Sequence, residues 1–359
     1  MRFFASLLIL CVCLAAGLAC APAVAPFEPE IPELPPMPAG LDETYLVIPA
    51  DNPLTPEKVA LGWQLYYDPR LSADGTVSCA SCHAPEAGFG DPNQFSIGVG
   101  GLTGGRNSPT VINAAFNAQQ FWDGRAATLE EQALGPIENP VEMANTLEEV
   151  ERTLNAMPGY TQQFYDIFGS GQITSENIAK AIASFERVVL SGDSPWDKWQ
   201  ATRDPSVISE AALRGEELFR SKAACSQCHL GFNFSDSHLG LYHNIGVGME
   251  VEEHDVGRFE VSGDEAHTGA FKTPTLRNVT QSAPYMHDGS HATLEEVMEY
   301  YDKGGLPNEW LDPKIFPLEL TEEEEADIIA FLDALTGEIP EFATRPPRVP
   351  AGPHGMQNQ

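Results

Sequence analysis

Positive charge is scarce in this chain. Lys and Arg number 20 against 52 Asp and Glu, leaving a formal charge of −32 at pH 7. That balance excludes a nucleic acid or an anionic membrane surface as the natural partner. It suits a basic protein partner, or simply a surface kept soluble by acid. Cysteine is also scarce: beyond position 20 only Cys79, Cys82, Cys225 and Cys228 remain. They come as two close pairs, which is not the layout of a disulfide framework. Past Ala19 no apolar run is long enough to cross a bilayer. No stretch alternates polar and apolar in the way a half-buried sheet requires, so the expected fold is all-α.

The chain begins with Arg2 and the apolar run FFASLLILCVCLAAGLA, followed by small residues and proline. This reads as a secretory signal over residues 1–20 and places the protein in the periplasm or outside the cell. Cys20 stands where a lipid-carrying cysteine would follow cleavage, so membrane anchoring as a lipoprotein and plain release both stay open. Residues 21–50 are Pro-rich and read as an extended tether. From Asp51 the chain becomes globular. Helical spacing marks 56–68, where Val59, Trp63, Tyr66 and Tyr67 share a face, and again 175–190 and 210–221. Residues 320–337 make the clearest helix, with Thr321 and Glu324 as a capping box and Gly337 as its stop. The polar shift over 191–210 is the best domain boundary. It predicts one domain over 51–205, a second over 206–345 and a tail over 346–359.

The two halves repeat each other. Gly62-x-x-Leu65-Tyr66 leads to CASCH, and Gly215-x-x-Leu218-Phe219 leads to CSQCH. Pro109-Thr110-x-x-Asn113 answers Pro274-Thr275-x-x-Asn278, and WDGRAATLEE (122–131) answers HDGSHATLEE (287–296). Matching spacing over so long a stretch indicates duplication into two related domains, not a solenoid.

Cys79-Ala80-Ser81-Cys82-His83 and Cys225-Ser226-Gln227-Cys228-His229 are C-x-x-C-H sequences. Two thiols one helical turn apart can add to the two vinyl groups of a haem, and the adjacent histidine then reaches the iron. Two such matches at equivalent places of a repeat predict two covalently bound haem c groups, with His83 and His229 as iron ligands. The sixth iron position decides between carrier and catalyst. Thr128 and Thr293 each open a capping box and so start a helix. Two turns on, the second copy has Tyr301 and the first has Pro136. Proline offers no ligand atom and is expected to break its helix. One haem is therefore expected to be closed by the protein and the other to stay open for a small oxygen-bearing molecule.

This constellation resembles the bacterial dihaem cytochrome c peroxidase and MauG family over positions 51–345. The resemblance is carried by LGWQLYYDPRLSADGTVSCASCH, GGRNSPTVINAAFNAQQFWDGRAATLEEQA, NPVEM, FKTPTLRNVTQSAPYMHDG and the final LTGE. It implies two α-helical cytochrome c-like domains, with hydrogen peroxide reduced at the first haem and oxidising equivalents stored or relayed at the second. Glu142 of NPVEM would move protons as peroxide is cleaved, and Gln132 would be a second polar group in that pocket. Trp122 matches the tryptophan that relays electrons between the haems. Asn107, with the backbone carbonyls of Ser282 and Pro284, matches a calcium site at the domain interface. Many family peroxidases carry a blocking His where this chain has Val99, so the first site is expected to be open without reductive activation. Classical members have Met where this chain has Tyr301, and the MauG branch has Tyr; Met298 and Met286 remain rival ligands. The MauG branch also uses a surface Trp at the position of Ala223, so its route to a protein substrate is not carried over. His287 is expected near the second haem, the histidines of SDSHLGLYHN as ordinary loop residues, and MEVEEHD as solvated charge. Three functions compete: a dihaem peroxidase fed by an electron-donor protein such as a small cytochrome, a MauG-like oxidase that uses peroxide to modify side chains of a partner protein, and a plain dihaem electron carrier.

Overall fold

Side-chain caps set where the helices begin. Thr55, Thr128, Thr146, Thr174, Ser194, Ser209, Thr293 and Thr321 each accept the backbone N–H three residues on. Each such cap is worth about 1 kcal/mol. The computed structural model describes residues 27–352. The expected signal segment and Cys20 lie outside the described residues. The first half holds α1 (Pro56–Tyr67), α2 (Cys79–Cys82), α3 (Leu129–Glu138), α4 (Leu147–Asn155), α5 (Pro158–Phe168) and α6 (Ser175–Glu186). Then come α7 (Pro195–Thr202), α8 (Glu210–Arg220), α9 (Phe259–Ser262), α10 (Leu294–Asp302) and α11 (Glu322–Asp333). A two-residue ribbon, β1 (Tyr242–His243) antiparallel to β2 (Phe271–Lys272), is the one sheet among the described residues. The helical expectation holds with that small exception.

Each half is built on one pair of crossed helices. α1 meets α6 at Gly62, where a Cβ would lie 1.9 Å from the Ala181 carbonyl oxygen. α8 meets α11 at Gly215, where a Cβ would lie 1.9 Å from the Asp327 carbonyl oxygen. Only glycine lets these backbones approach so closely. Apolar side chains pack around each crossing: Leu61, Leu65 and Ile182 in the first half, Phe219, Ile328 and Phe331 in the second.

The halves meet through equivalent bonds. Asn107 N–H donates to the His287 carbonyl at 2.7 Å, and Lys272 N–H donates to the Trp122 carbonyl at 2.8 Å. Asn107 answers to Lys272 in the repeat as Trp122 answers to His287, so these two bonds are related by the duplication. Asn113 and Asn278 hold the same left-handed backbone, φ +59° and +57°. Both reach Ser191: the Asn113 side chain accepts its N–H, and Asn278 accepts its hydroxyl.

Several local expectations are corrected. α3 does not break at Pro136 but runs through it to Glu138. The proline sits so near the helix end that one missing N–H is tolerated, and Asn139 N–H closes the last turn on the Gly135 carbonyl at 3.1 Å. Thr128 caps α3, but Glu131 answers the N–H of Ala127 and not of Thr128, so of these two repeat-related helices α10 alone has the full capping box, at Thr293. α11 ends at Asp333 with Ala334 as its cap, before Gly337. Gly337 is instead needed for close approach, since its Cβ would meet the Gly192 carbonyl oxygen at 2.0 Å. Inside 191–210 lies α7, whose buried Asp197 binds Arg277 of the second half by two hydrogen bonds. Residues 27–50 are extended apart from a turn at 39–40 and a 3-10 turn at Glu43–Tyr45, yet packed: Glu30 pairs with Arg345, Leu34 packs on the first-half core and the Gly40 carbonyl accepts from Arg277. Residues 339–350 also dock on the first half. Trp63 donates to the Arg345 carbonyl and Tyr67 to the Ala343 carbonyl.

Candidate active site

A cavity opens in each half beside its C-x-x-C-H sequence. The first, about 150 Å³, is walled by Cys79, Cys82 and His83 on one side and by Gln132, Pro136 and Glu142 elsewhere. The second, about 190 Å³ and more apolar, is walled by Cys225, Cys228, His229, Met298 and Tyr301 among others. None of these four cysteines is in a disulfide.

Both histidines are set up in the same way. His83 Nδ1 lies 3.0 Å from the Pro109 carbonyl, and His229 Nδ1 lies 3.1 Å from the Phe234 carbonyl. A carbonyl can only accept, so Nδ1 carries the proton and Nε2 keeps its lone pair. Burial lowers the pKa of both rings and keeps them neutral, as a metal ligand must be. Paired free thiols and a neutral imidazole around an apolar cavity are the donor set that haem c requires.

In the first cavity, burial pushes the Glu142 carboxyl up, against the pull of its hydrogen bond from Asn139 and of Arg125. Asn139 Nδ2 holds Glu142 Oε1 at 2.6 Å. The loop 96–103 clamps the same residue from behind, with Val99 N–H donating to the Glu142 carbonyl at 2.8 Å. The Val99 side chain packs on the core, and it is Gly98 that lines the cavity.

In the second cavity the Tyr301 hydroxyl has no hydrogen-bond partner among the described residues. Its neighbour Tyr300 is committed, donating to the Ile245 carbonyl at 2.9 Å and accepting from Leu306 N–H at 3.2 Å. Burial drives the Tyr301 phenol well up. Met298 and Met286 line this cavity too.

Among the described residues Trp122 alone lines both cavities. It is buried, and its Nε1–H donates to the Asn107 carbonyl at 2.8 Å. His287 lines the second cavity and stacks on Phe271 with ring centroids 3.7 Å apart.

The sequence model of di-haem cytochrome c peroxidase matches residues 56–205. The methylamine utilization protein MauG of Methylorubrum extorquens is 42% identical over 81% of this chain and 81% of its own length. The cytochrome c551 peroxidase of Nitrosomonas europaea is 40% identical over 84% of this chain and 86% of its own. A solved MauG-like protein associated with microbial copper homeostasis superposes with a TM-score of 0.75 at 33% identity, over 87% of this chain and 96% of that one. The chain belongs to the di-haem cytochrome c peroxidase family. Members of the family are oxidoreductases acting on peroxide, and membership implies two c-type haems, for which each cavity supplies two thiols and a neutral imidazole.

Sequence reading missed several side chains of this di-haem frame. His243 is no ordinary loop histidine. It lies between Asp236 and Asp312 at 2.7 and 2.6 Å, lines the second cavity, and is pushed up to about 10 by Asp236, the Cys228 thiol and Asp312 despite its burial. Asp236, His243 and Cys228 stand close enough to share a metal ion. Cys228 belongs to a C-x-x-C-H, and a haem attached there would leave that trio without its thiolate. Asp255, read as solvated, forms a two-pronged pair with Arg106, which also binds Asp123. Glu186 is buried in the first cavity wall, its carboxylate has no hydrogen-bond partner among the described residues, and burial pushes it up to about 8. Lys272 is buried in the second cavity wall. Aligning α6 with α11, and Asn107 with Lys272, would have exposed the last two as charged residues whose repeat mates are not.

Asn107 donates through Nδ2 to the Asn93 and Gln94 carbonyls. Among the described residues nothing donates to its Oδ1. Gln94 in turn donates to the Asp288 carbonyl, and the backbone at Gln281 lies 3.2 Å from a Cβ built on Gly88. The loop carrying Asn107 therefore lies against the 281–289 segment that contains Ser282 and Pro284.

Proposed function

We propose that this protein reduces hydrogen peroxide at the first cavity and stores or relays oxidising equivalents at the second. The observation that carries the reading is Pro136: it stands in the first cavity wall where the repeat places Tyr301 in the second. When bound, the two haems supply the electrons that turn peroxide, with two protons, into two waters. His83 and His229 would hold the irons through Nε2. Pro136 would offer the first iron no ligand atom, and Val99 would supply nothing to block it. Glu142, kept protonated more readily by its burial and fixed by Asn139, holds a proton for the departing oxygen. Gln132 orients the peroxide by hydrogen bonding. Trp122, in both walls, links the sites, and Tyr301 would supply a ligand oxygen to the second iron. Met298 and Met286 are poorer fits, because neither answers to Pro136.

The acidic surface fits a basic electron-donor protein such as a small cytochrome. Asn107 Oδ1 with the carbonyls of Ser282 and Pro284 offers hard oxygens suited to a calcium ion between the halves. The domain limits 51–205 and 206–345 remain our reading, as does export guided by residues 1–20, with or without a lipid on Cys20. A second reading, oxidation of a partner protein's side chains, is favoured by Tyr301 itself. A phenolate ligand stabilises oxidised iron and makes electron entry harder.

One stopped-flow series decides. Oxidised holoprotein is mixed with one equivalent of peroxide, with and without reduced cytochrome. Fast reaction and rapid cytochrome turnover support the peroxidase. A long-lived oxidised species that cytochrome leaves alone supports partner oxidation. No reaction with peroxide leaves only an electron carrier.

A further inference from the structure

Lys272 is a buried cation that has no anion. Its side chain lies in the wall of the second cavity with 6% of its surface exposed. Among the described residues it makes no ion pair; Asp236 acts on it only from a distance. Asp236 is itself engaged by His243, and the second Asp at that histidine, Asp312, is engaged as well. Burial without a counter-charge pulls the ammonium down to about 8. Lys272 Nζ sits 5.9 Å from the centre of the Trp122 ring, and its backbone N–H holds the Trp122 carbonyl. The same position in the first half carries Asn107, a neutral side chain. An ammonium stays in such a wall at high cost unless an anion enters the cavity with it.

We propose that Lys272 binds a carboxylate side arm of the second haem, and that this ion pair sets the charge beside Trp122 at the junction of the two cavities. The proposal rests on the two-haem reading of the cavities. Haem c brings two propionates, and they are the anions that the family's own cofactor delivers. Lys272 is a positioning residue in this account: it fixes how the haem lies against Trp122 and raises the second haem's affinity for an electron. Neutralising it favours oxidised iron.

The test is spectroelectrochemistry on the holoprotein, with haem content measured first by alkaline pyridine. Lys272→Gln should retain two haems per chain and show a lower midpoint at the second haem, by about tenfold in its reduction equilibrium or ~59 mV for one electron. Lys272→Arg should keep the wild-type midpoint, and the first haem should move little in either variant. Two haems with an unchanged second midpoint in Lys272→Gln would overturn the ion pair while leaving the two-haem reading intact. Fewer than two haems in the wild type would overturn the reading beneath it. If Lys272→Gln does not mature, resonance Raman of the wild type decides: a propionate bending band displaced as in an ion pair supports the proposal, and a band at the position of a solvated propionate overturns it.

Discussion

Set side by side, the two cavities share their frame and differ at many of the positions that line it. Each has its glycine helix crossing, its C-x-x-C-H, its carbonyl-locked histidine and its left-handed asparagine. Within that frame Pro136 answers to Tyr301, Gln132 to Val297, Glu186 to Leu332 and Asn107 to Lys272. The first cavity gathers groups that can hold and pass protons. The second gathers apolar walls, a buried ammonium and a phenol with no hydrogen-bond partner among the described residues. Duplication kept the C-x-x-C-H donors and changed these lining positions.

The largest effect expected on this contrast is at Glu142. Glu142→Gln should slow the reaction with peroxide by about 10²–10⁴-fold while both haems stay attached, since general acid–base groups contribute on that scale. Stopped-flow absorbance reads it, and an unchanged rate would remove Glu142 from the chemistry. A test of the shared frame comes next. Gly62→Ala and Gly215→Ala should each destabilise by about 1–3 kcal/mol or more, because each Cβ strikes a backbone carbonyl that cannot yield. Thermal unfolding of the two variants should show comparable losses; a loss confined to one would mean the crossings are not equivalent. The smallest effect is at Glu186. Its buried carboxyl is pushed up to about 8, so it folds neutral. Stability is then full in acid and falls as pH rises from the ordinary carboxylate range toward 8. Glu186→Gln should remove that decline, which Leu332 in the second half never had. Unfolding midpoints across that pH range that run parallel in both proteins would contradict it.

Much of this was legible in the sequence because it depends on side-chain identity at fixed spacing. C-x-x-C-H, the capping threonines and the repeated PT-x-x-N are local instructions, and the structure carries them out. What was misread depends on what a residue meets. Pro136 looked like a helix breaker, yet so close to the end of α3 it costs one bond. His243 looked like a loop histidine, because Asp236 and Asp312 reach it from separate stretches of chain. The Pro-rich 21–50 stretch reads as an extended tether, and only the folded surface with Arg277 and Arg345 gives its described part, 27–50, a place to dock. Gly337 looked like a helix stop, and its real neighbour is Gly192.

The central claim is that one iron is closed by Tyr301 and the other is left open. Low-temperature EPR of the oxidised holoprotein, compared with Tyr301→Phe, tests it most directly. The account predicts one six-coordinate low-spin signal and one high-spin signal in the wild type, with the low-spin signal lost or altered in Tyr301→Phe and the high-spin signal unmoved. Two low-spin six-coordinate haems in the wild type, or a second-haem signal that Tyr301→Phe leaves unchanged, would contradict it.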